Sequence, residues 1–271
     1  MMQSKPLTPE SGVNIADPLA DDTIAAIIGS WPQGSDSLDA AALARIGVVN
    51  RLMMTWGNNA SLAYWQAPAD TDPHIAQTLQ QYLRTGSTLP GWADRAKVER
   101  AEAIFMQEGP LSCTLLFCAS LPECYVLPNL ADVLHIAGQL EAHTEHRVRQ
   151  TAAMIFPVMM RGGLMGDSGN GLAQILKVRL IHATIRHLIL RGNPQTVQHA
   201  APALQISAPA RGMHDALMRH GWEAKRQGLP CNQTELAYTL LTFGMCFSRV
   251  CARSGKGSHV RMKRLICTLG M

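Results

Sequence analysis

One stretch constrains this chain more than any other: Leu172 to Leu190, LAQILKVRLIHATIRHLIL. Leu172, Ile175, Leu176, Ile181, Ile185, Leu188 and Ile189 make a helix that is apolar over most of its circumference, and such a helix belongs in the middle of a bundle. Arg179, His182 and Arg186 stand at i, i+3 and i+7 on it and therefore share one stripe. Charge inside a bundle needs a partner, because burying it alone is costly. Two readings follow from the spacing. Either the stripe faces a cavity that holds an anionic ligand or a metal cofactor, or the arginines pair with core carboxylates and His182 is a hydrogen-bonded core histidine.

The rest of the chain is written in the same grammar. Asp17-Pro18 opens a helix that ends at Gly29, and Ser37–Leu52 follows with Leu38, Ala41, Ala42, Ala44 and Ile46. Asp72-Pro73 opens another, and Trp92 begins one that passes Val98, Ala101 and Phe105 to the break at Gly109-Pro110. Leu111–Leu121 is uncharged and suits a helix buried on all sides. Further helices are expected over 130–136, 142–160, 172–190, 212–226 and 232–243. Aromatic residues are only 5% and no strand-like alternation exceeds four residues, so the fold class is all-α, a single-domain bundle spanning 17–244 behind a flexible arm of residues 1–16.

Charge excludes some functions. The net charge of +4 comes from the end of the chain, where Arg249, Arg253, Lys256, Arg261, Lys263 and Arg264 occur with no acidic residue after Met245. The remaining 18 basic groups face all 20 acidic ones, so the body lacks the basic face that nucleic acid requires. The seven cysteines form no CxxC or zinc-finger spacing, and no apolar run reaches the length of a membrane span. The expectation is a soluble, cytoplasmic protein with reduced thiols.

Several motifs yield to plainer readings. No glutamate has His three residues on, as a di-iron bundle needs, and no GxSxG elbow occurs. His143-x-x-His146 lies in the charged start of a helix and reads as a solvated face. The run Gly162–Gly171 follows a helix and matches neither GxGxxG nor the P-loop pattern, so a flexible connection ending in a Ser, Asp or Asn cap is expected there. Thr144, Arg147 and Thr151 make a second polar stripe on the helix of residues 142–160.

Val178–Arg186, the upstream Arg147-x-x-x-Thr151 and the downstream Asn232–Phe243 together resemble the rubber oxygenase (latex clearing protein) and MpaB oxygenase family. Asp17–Asp21 and Gly91-Trp92 through Arg100 fit the N-terminal half of that family. The resemblance implies a globin-like helical core around haem b, with His182 as the iron ligand and metal site and Arg179 and Arg186 offsetting the propionate charge. It implies that Arg147 and Thr151 are the polar pair of the haem pocket. The activity implied is dioxygen-dependent oxidative cleavage or oxidation of a lipophilic, isoprenoid-like substrate. Where the family carries a glutamate proposed as a base, this chain has Ala131 with Asp132 beside it, which makes Asp132 the candidate acid. Gln150 stands in place of the family's distal lysine. Both departures point to a lipophilic substrate smaller than rubber.

From Met245 the sequence leaves the family pattern. Codons can be written for this tail which, read one nucleotide out of phase, give an amphipathic helix, a glycine break and the start of another helix. The expectation is a frameshift near Gly244, an aberrant tail over 245–271 and loss of the helices that would close the bundle. Two alternatives to the oxygenase stay open: a non-enzymatic helical protein that binds a hydrophobic ligand, and an inactive truncated remnant.

Overall fold

Aspartates start the helices of the N-terminal half. Asp17, Asp39, Asp72 and Asp94 each accept a hydrogen bond from a backbone N–H of the first turn that follows, and Pro18 and Pro73 occupy first-turn positions where no amide hydrogen is missed. A computed structural model of the protein describes residues 9–29, 39–126, 128–136, 144–197, 200–204, 210 and 212–253.

In chain order the elements begin with α1 (Pro9–Gly12), α2 (Pro18–Ile28), α3 (Ala40–Met53), α4 (Asn59–Leu62), α5 (Pro73–Gly86) and α6 (Arg95–Gln107). Next, α7 (Gly109–Leu115) passes through a π-helical turn (Leu116–Ser120) into α8 (Leu121–Cys124), making one continuous rod. Then come α9 (Pro128–Ile136), α10 (Thr144–Met159), α11 (Gly171–Leu190), β1 (Ala200–Ala201), α12 (Met213–Arg219), β2 (Trp222–Glu223), α13 (Ala224–Gln227) and α14 (Gln233–Arg253). The all-α expectation holds: among the described residues the only sheet is the two-residue antiparallel pair Ala200↔Glu223 and Ala201↔Trp222.

Helix α11 is the axis of the fold. It packs mainly on α2, α10 and α12, while α14 packs on the α7–α8 rod and on α1. Leu176, Leu180, Ala183, Leu188 and Ile189 of α11 are buried in one core with Ile24, Ile27, Leu79, Leu83 and Leu217. Each such leucine or isoleucine contributes about 1.5–3 kcal/mol by leaving water. The Tyr82 hydroxyl donates to the Leu176 carbonyl at 2.8 Å and joins α5 to the axis.

The structure corrects several sequence expectations. The central helix is not covered all round, since Ile181 is 43% exposed. The rod over Leu111–Leu121 is not buried on all sides either, because Thr114 and Cys118 are exposed. The single helix expected over 212–226 breaks after Arg219: a side chain on Gly221 would stand 2.7 Å from the Ala203 amide nitrogen, so only glycine lets the chain turn back there into the β pair. The arm of residues 1–16 is held from Pro9 onward, with Leu229 N donating to Val13 O at 2.8 Å and Gln233 donating to Ile15 O and Ala16 O. Finally, α14 runs unbroken through Gly244 to Arg253, so the first nine residues of the segment read as an aberrant tail are helical. Residues 254–271, with Lys256, Arg261, Lys263, Arg264 and Cys267, lie outside the described residues.

No single described helix is long and apolar enough to cross a membrane; α6 and the α7–α8 rod meet those limits only together, across a bend of 93°.

Candidate functional site

The glycine run between α10 and α11 sets the height of the central helix. It is pinned from two sides. The buried Glu102 carboxylate of α6 accepts from Gly162 N at 2.7 Å and Leu164 N at 3.0 Å. Asn59 donates to the carbonyls of Gly163 and Gly166, and its Oδ1 accepts from Leu172 N at 3.2 Å. The start of α11 is thus capped from α4 and not by Asn170, which makes no side-chain cap. A loop whose amides already hold a carboxylate of the same chain has no free cradle for a phosphate.

Of the two readings open for the α11 stripe, ion pairing describes both arginines. Arg179 grips Asp17 with two bonds, Nε to Oδ2 at 2.6 Å and Nη2 to Oδ1 at 2.9 Å, and lies 5.9 Å from the Tyr82 ring centroid. Burial acts to raise the Asp17 pKa, but the Arg179 bonds and charge outweigh it and hold the carboxyl below its ordinary value. Arg186 is fully buried; its Nε donates to Asp21 Oδ1 at 2.8 Å and its Nη1 to the Cys231 carbonyl at 3.0 Å. Burial pushes the Asp21 carboxyl above its usual range despite the guanidinium. The propionate role expected of these arginines therefore meets guanidinium groups already engaged by Asp17 and Asp21. One buried N–H group, Arg186 Nη2, finds no acceptor.

His182 stands between the two arginines on a turn that is the most open of α11. Val178, His182 and Ile185 are half-buried around the exposed Ile181. A histidine flanked by Val178, Ile181 and Ile185 on an open helical face is the residue of this helix that would hold haem iron, which asks one or two donors of the protein. Among the described residues, no three or more His, Cys, Asp or Glu side chains gather as a multi-ligand metal centre.

The other expected site residues are on α9 and α10. Thr151 is half-buried on α10. Arg147 is in the same helix, one turn earlier, but its side chain lies outside the described residues, as do that of Thr144 and the whole of His143. His146 is exposed, in keeping with a solvated face. Asp132 on α9 accepts from Gln227 Nε2 at 3.2 Å. It therefore belongs to a polar cluster at the start of α14, the segment that Arg186 reaches through Cys231.

That cluster contains a residue the sequence reading missed. Asn232 and Glu235 form a reciprocal capping box: Asn232 Oδ1 accepts from Glu235 N at 3.0 Å and Glu235 Oε2 accepts from Asn232 N at 3.3 Å. Burial, with a smaller contribution from the Asp132 charge, pushes the Glu235 carboxyl up to about 7. The Asn-x-x-Glu spacing before an apolar run was the available signal. His187 was also missed; it is buried, its Nε2 lies 3.1 Å from Gly29 O, and burial lowers its pKa to about 4.

No family model matches the chain. A rubber oxygenase from Streptomyces sp. (strain K30) is 22% identical over 161 residues, which are 59% of this chain and 37% of the relative. The structure of latex clearing protein in its closed state superposes with a TM-score of 0.62 at 16% identity, over 99% of this chain and 61% of that one. The chain thus spans less than two thirds of the length of either protein. It is similar in sequence to rubber oxygenase, and it has the fold of latex clearing protein.

Proposed function

We propose that this chain is a haem-b-dependent oxygenase homologue that oxidises or cleaves a lipophilic, isoprenoid-like substrate with dioxygen. The observation that carries this reading is His182 on the open apolar turn of the central helix, within a fold shared with latex clearing protein. The name of the sequence relative, rubber oxygenase, supports the reaction class and a lipophilic substrate. Haem b, when bound, supplies the iron at which dioxygen is activated.

The chain's own residues have separate tasks. His182 offers a ring nitrogen as ligand. Val178, Ile181 and Ile185 present apolar surface to ring and substrate and exclude water from that side. Arg179 and Arg186 fix α11 against α2 through Asp17 and Asp21, and their charge, about a turn to either side of His182, offsets the acidic groups of the cofactor. Thr151 and Arg147, the polar pair in this reading, belong to α10, which packs on α11. Asp132 is the acid in this reading.

Purified protein reconstituted with haemin should show a Soret band that His182→Ala abolishes while the circular dichroism spectrum is unchanged. Protein that takes up no haemin defeats the cofactor assignment and leaves the second reading, a helical protein binding a hydrophobic ligand without chemistry. That reading draws on the ion pairs that occupy both arginines.

A further inference from the structure

Two carboxylic acids from distant parts of the chain meet at one corner of the fold, and no cation comes with them. Asp132 belongs to α9 and Glu235 to the first turn of α14, and both are half-buried. The segment that joins β2 to α14 lies between them. Gln227 donates to Asp132 Oδ2 at 3.2 Å, and its Oε1 accepts from Glu223 N at 3.1 Å. A side chain on Gly228, the next residue, would stand 3.1 Å from Asn232 Nδ2. Asn232 in turn shares the reciprocal cap with Glu235. The donors at this corner are therefore amides, and among the described residues neither Asp132 nor Glu235 takes part in an ion pair.

The groups around the corner leave this charge uncompensated. Arg186 of α11 stops at the Cys231 carbonyl and is matched by Asp21. Lys225 and Arg226 of α13 are exposed. On the α7–α8 rod, the Cys124 thiol is hydrogen-bonded to Thr239, one turn after Glu235, and burial pushes its pKa up to about 11, so it is neutral; Glu123 beside it is exposed. From α1, Gly12 meets Thr234, and the Glu10 side chain lies outside the described residues. Burial first, and the Asp132 charge after it, make the Glu235 carboxylate costly and raise its pKa to about 7. Repulsion between two carboxylates is relieved where the structure holds less firmly. The start of α14 is fixed by Gln233 N to Ile15 O at 2.9 Å, Gln233 Nε2 to Ala16 O at 2.8 Å and Arg186 Nη1 to Cys231 O at 3.0 Å. Helix α9 has nine residues, packs on α12, and meets this corner through the Gln227 amide.

We propose that Asp132 and Glu235 form a proton-controlled latch on α9: with one proton between them α9 stays closed on this corner, and with none the two carboxylates repel and α9 opens more often. Val133, buried on α9, keeps the closed form dominant, so the proton shifts a population and does not dismantle the fold. The element that opens is the one that leads into α10. The inference is independent of the haem reading, because no cofactor enters it.

Native-state hydrogen exchange of the full chain reads the opening through peptides that cover residues 128–136, with rates corrected for the chemical effect of pH. With the Glu235 carboxyl at about 7 in the closed form and at its ordinary 4.5 in the open one, α9 protection should fall about tenfold from pH 6 to pH 8. Low urea should leave α9 exchange unchanged, as befits a local opening, whereas α5 in the core should lose protection as urea rises. Glu235→Gln, neutral and of the same shape, should remove the pH dependence, and Asp132→Asn should reduce it. Should Glu235→Gln fold poorly, the carbon shift of the Glu235 carboxyl, followed by NMR in the parent and in Asp132→Asn, reads the same coupling, and its midpoint should move to lower pH in the variant. The latch is overturned if α9 protection in the parent is the same at both pH values, if α9 follows urea as α5 does, if Glu235→Gln keeps the fall, or if the Glu235 midpoint ignores Asp132→Asn.

Discussion

Replacing Arg186 by methionine tests how the central helix is held. The guanidinium is fully enclosed, bound to Asp21 on α2 and to the Cys231 carbonyl just before α14. Arg186→Met keeps most of the side-chain volume but leaves the Asp21 carboxylate buried without its cation and the Cys231 carbonyl without its donor. Breaking a buried pair from one side costs about 3–5 kcal/mol, and an orphaned carbonyl about 1–3 kcal/mol more. Protonation of Asp21, whose pKa burial already raises, returns part of this cost, so a net loss of about 3–5 kcal/mol near neutral pH is expected. That is a large share of the roughly 5–15 kcal/mol that holds a domain together. Urea unfolding followed by circular dichroism measures it, in a cycle with Asp21→Asn and the double variant. The double variant should be more stable than additivity predicts by about 2 kcal/mol, because the uncompensated carboxylate is gone. Amide exchange should quicken at the start of α14, over residues 232–236. A loss below about 1 kcal/mol, or strict additivity, would refute the idea that Arg186 serves as a structural tie between three helices.

Two further outcomes follow from the same geometry. Gly163→Ala should abolish folding or cost at least about 3 kcal/mol, since the new methyl would lie 2.2 Å from Pro157 O and 2.8 Å from Met160 O; normal soluble yield and an unchanged melting temperature would contradict the loop geometry. Glu235 binds its proton more tightly in the folded state, at about 7 against 4.5. The associated stabilisation, up to about 3 kcal/mol, is complete below pH 4.5 and disappears as pH rises through 7. Glu235→Gln should flatten that part of the stability–pH curve in chemical denaturation, and an identical curve would assign the dependence to other groups.

Helix positions and the special character of α11 were legible in the sequence because periodicity and aspartate caps are local signals. Asp17 illustrates where such signals end. It could be read as a cap from Asp17-Pro18, and it is one, accepting from Ala20 N, yet the same carboxylate also holds Arg179 from 162 positions away in the chain. Asp21, Glu102 and Asn59 likewise act over separations of 60 residues or more. Each partner is fixed by which helices meet, a property of tertiary packing that spacing along one helix does not encode. The two readings of the arginine stripe could be stated from sequence but were separable only with α2 in place. His182 was singled out by its spacing together with the family resemblance, whereas His187, one residue beyond Arg186 and more deeply buried, carried no pattern of its own.

The π turn in the α7–α8 rod governs which side chains the rod can show to α14. Ser112, Leu116, Ser120, Leu121 and Cys124 are buried, and Leu121 N donates to Leu116 O, five residues back, across the π-helical segment. A π turn holds one residue more than an α turn, so the buried row gains an adjacent pair, Ser120 and Leu121, at this level. The extra residue thus broadens the seam at one level: a hydroxyl and a leucine are both enclosed there before the row resumes at Cys124.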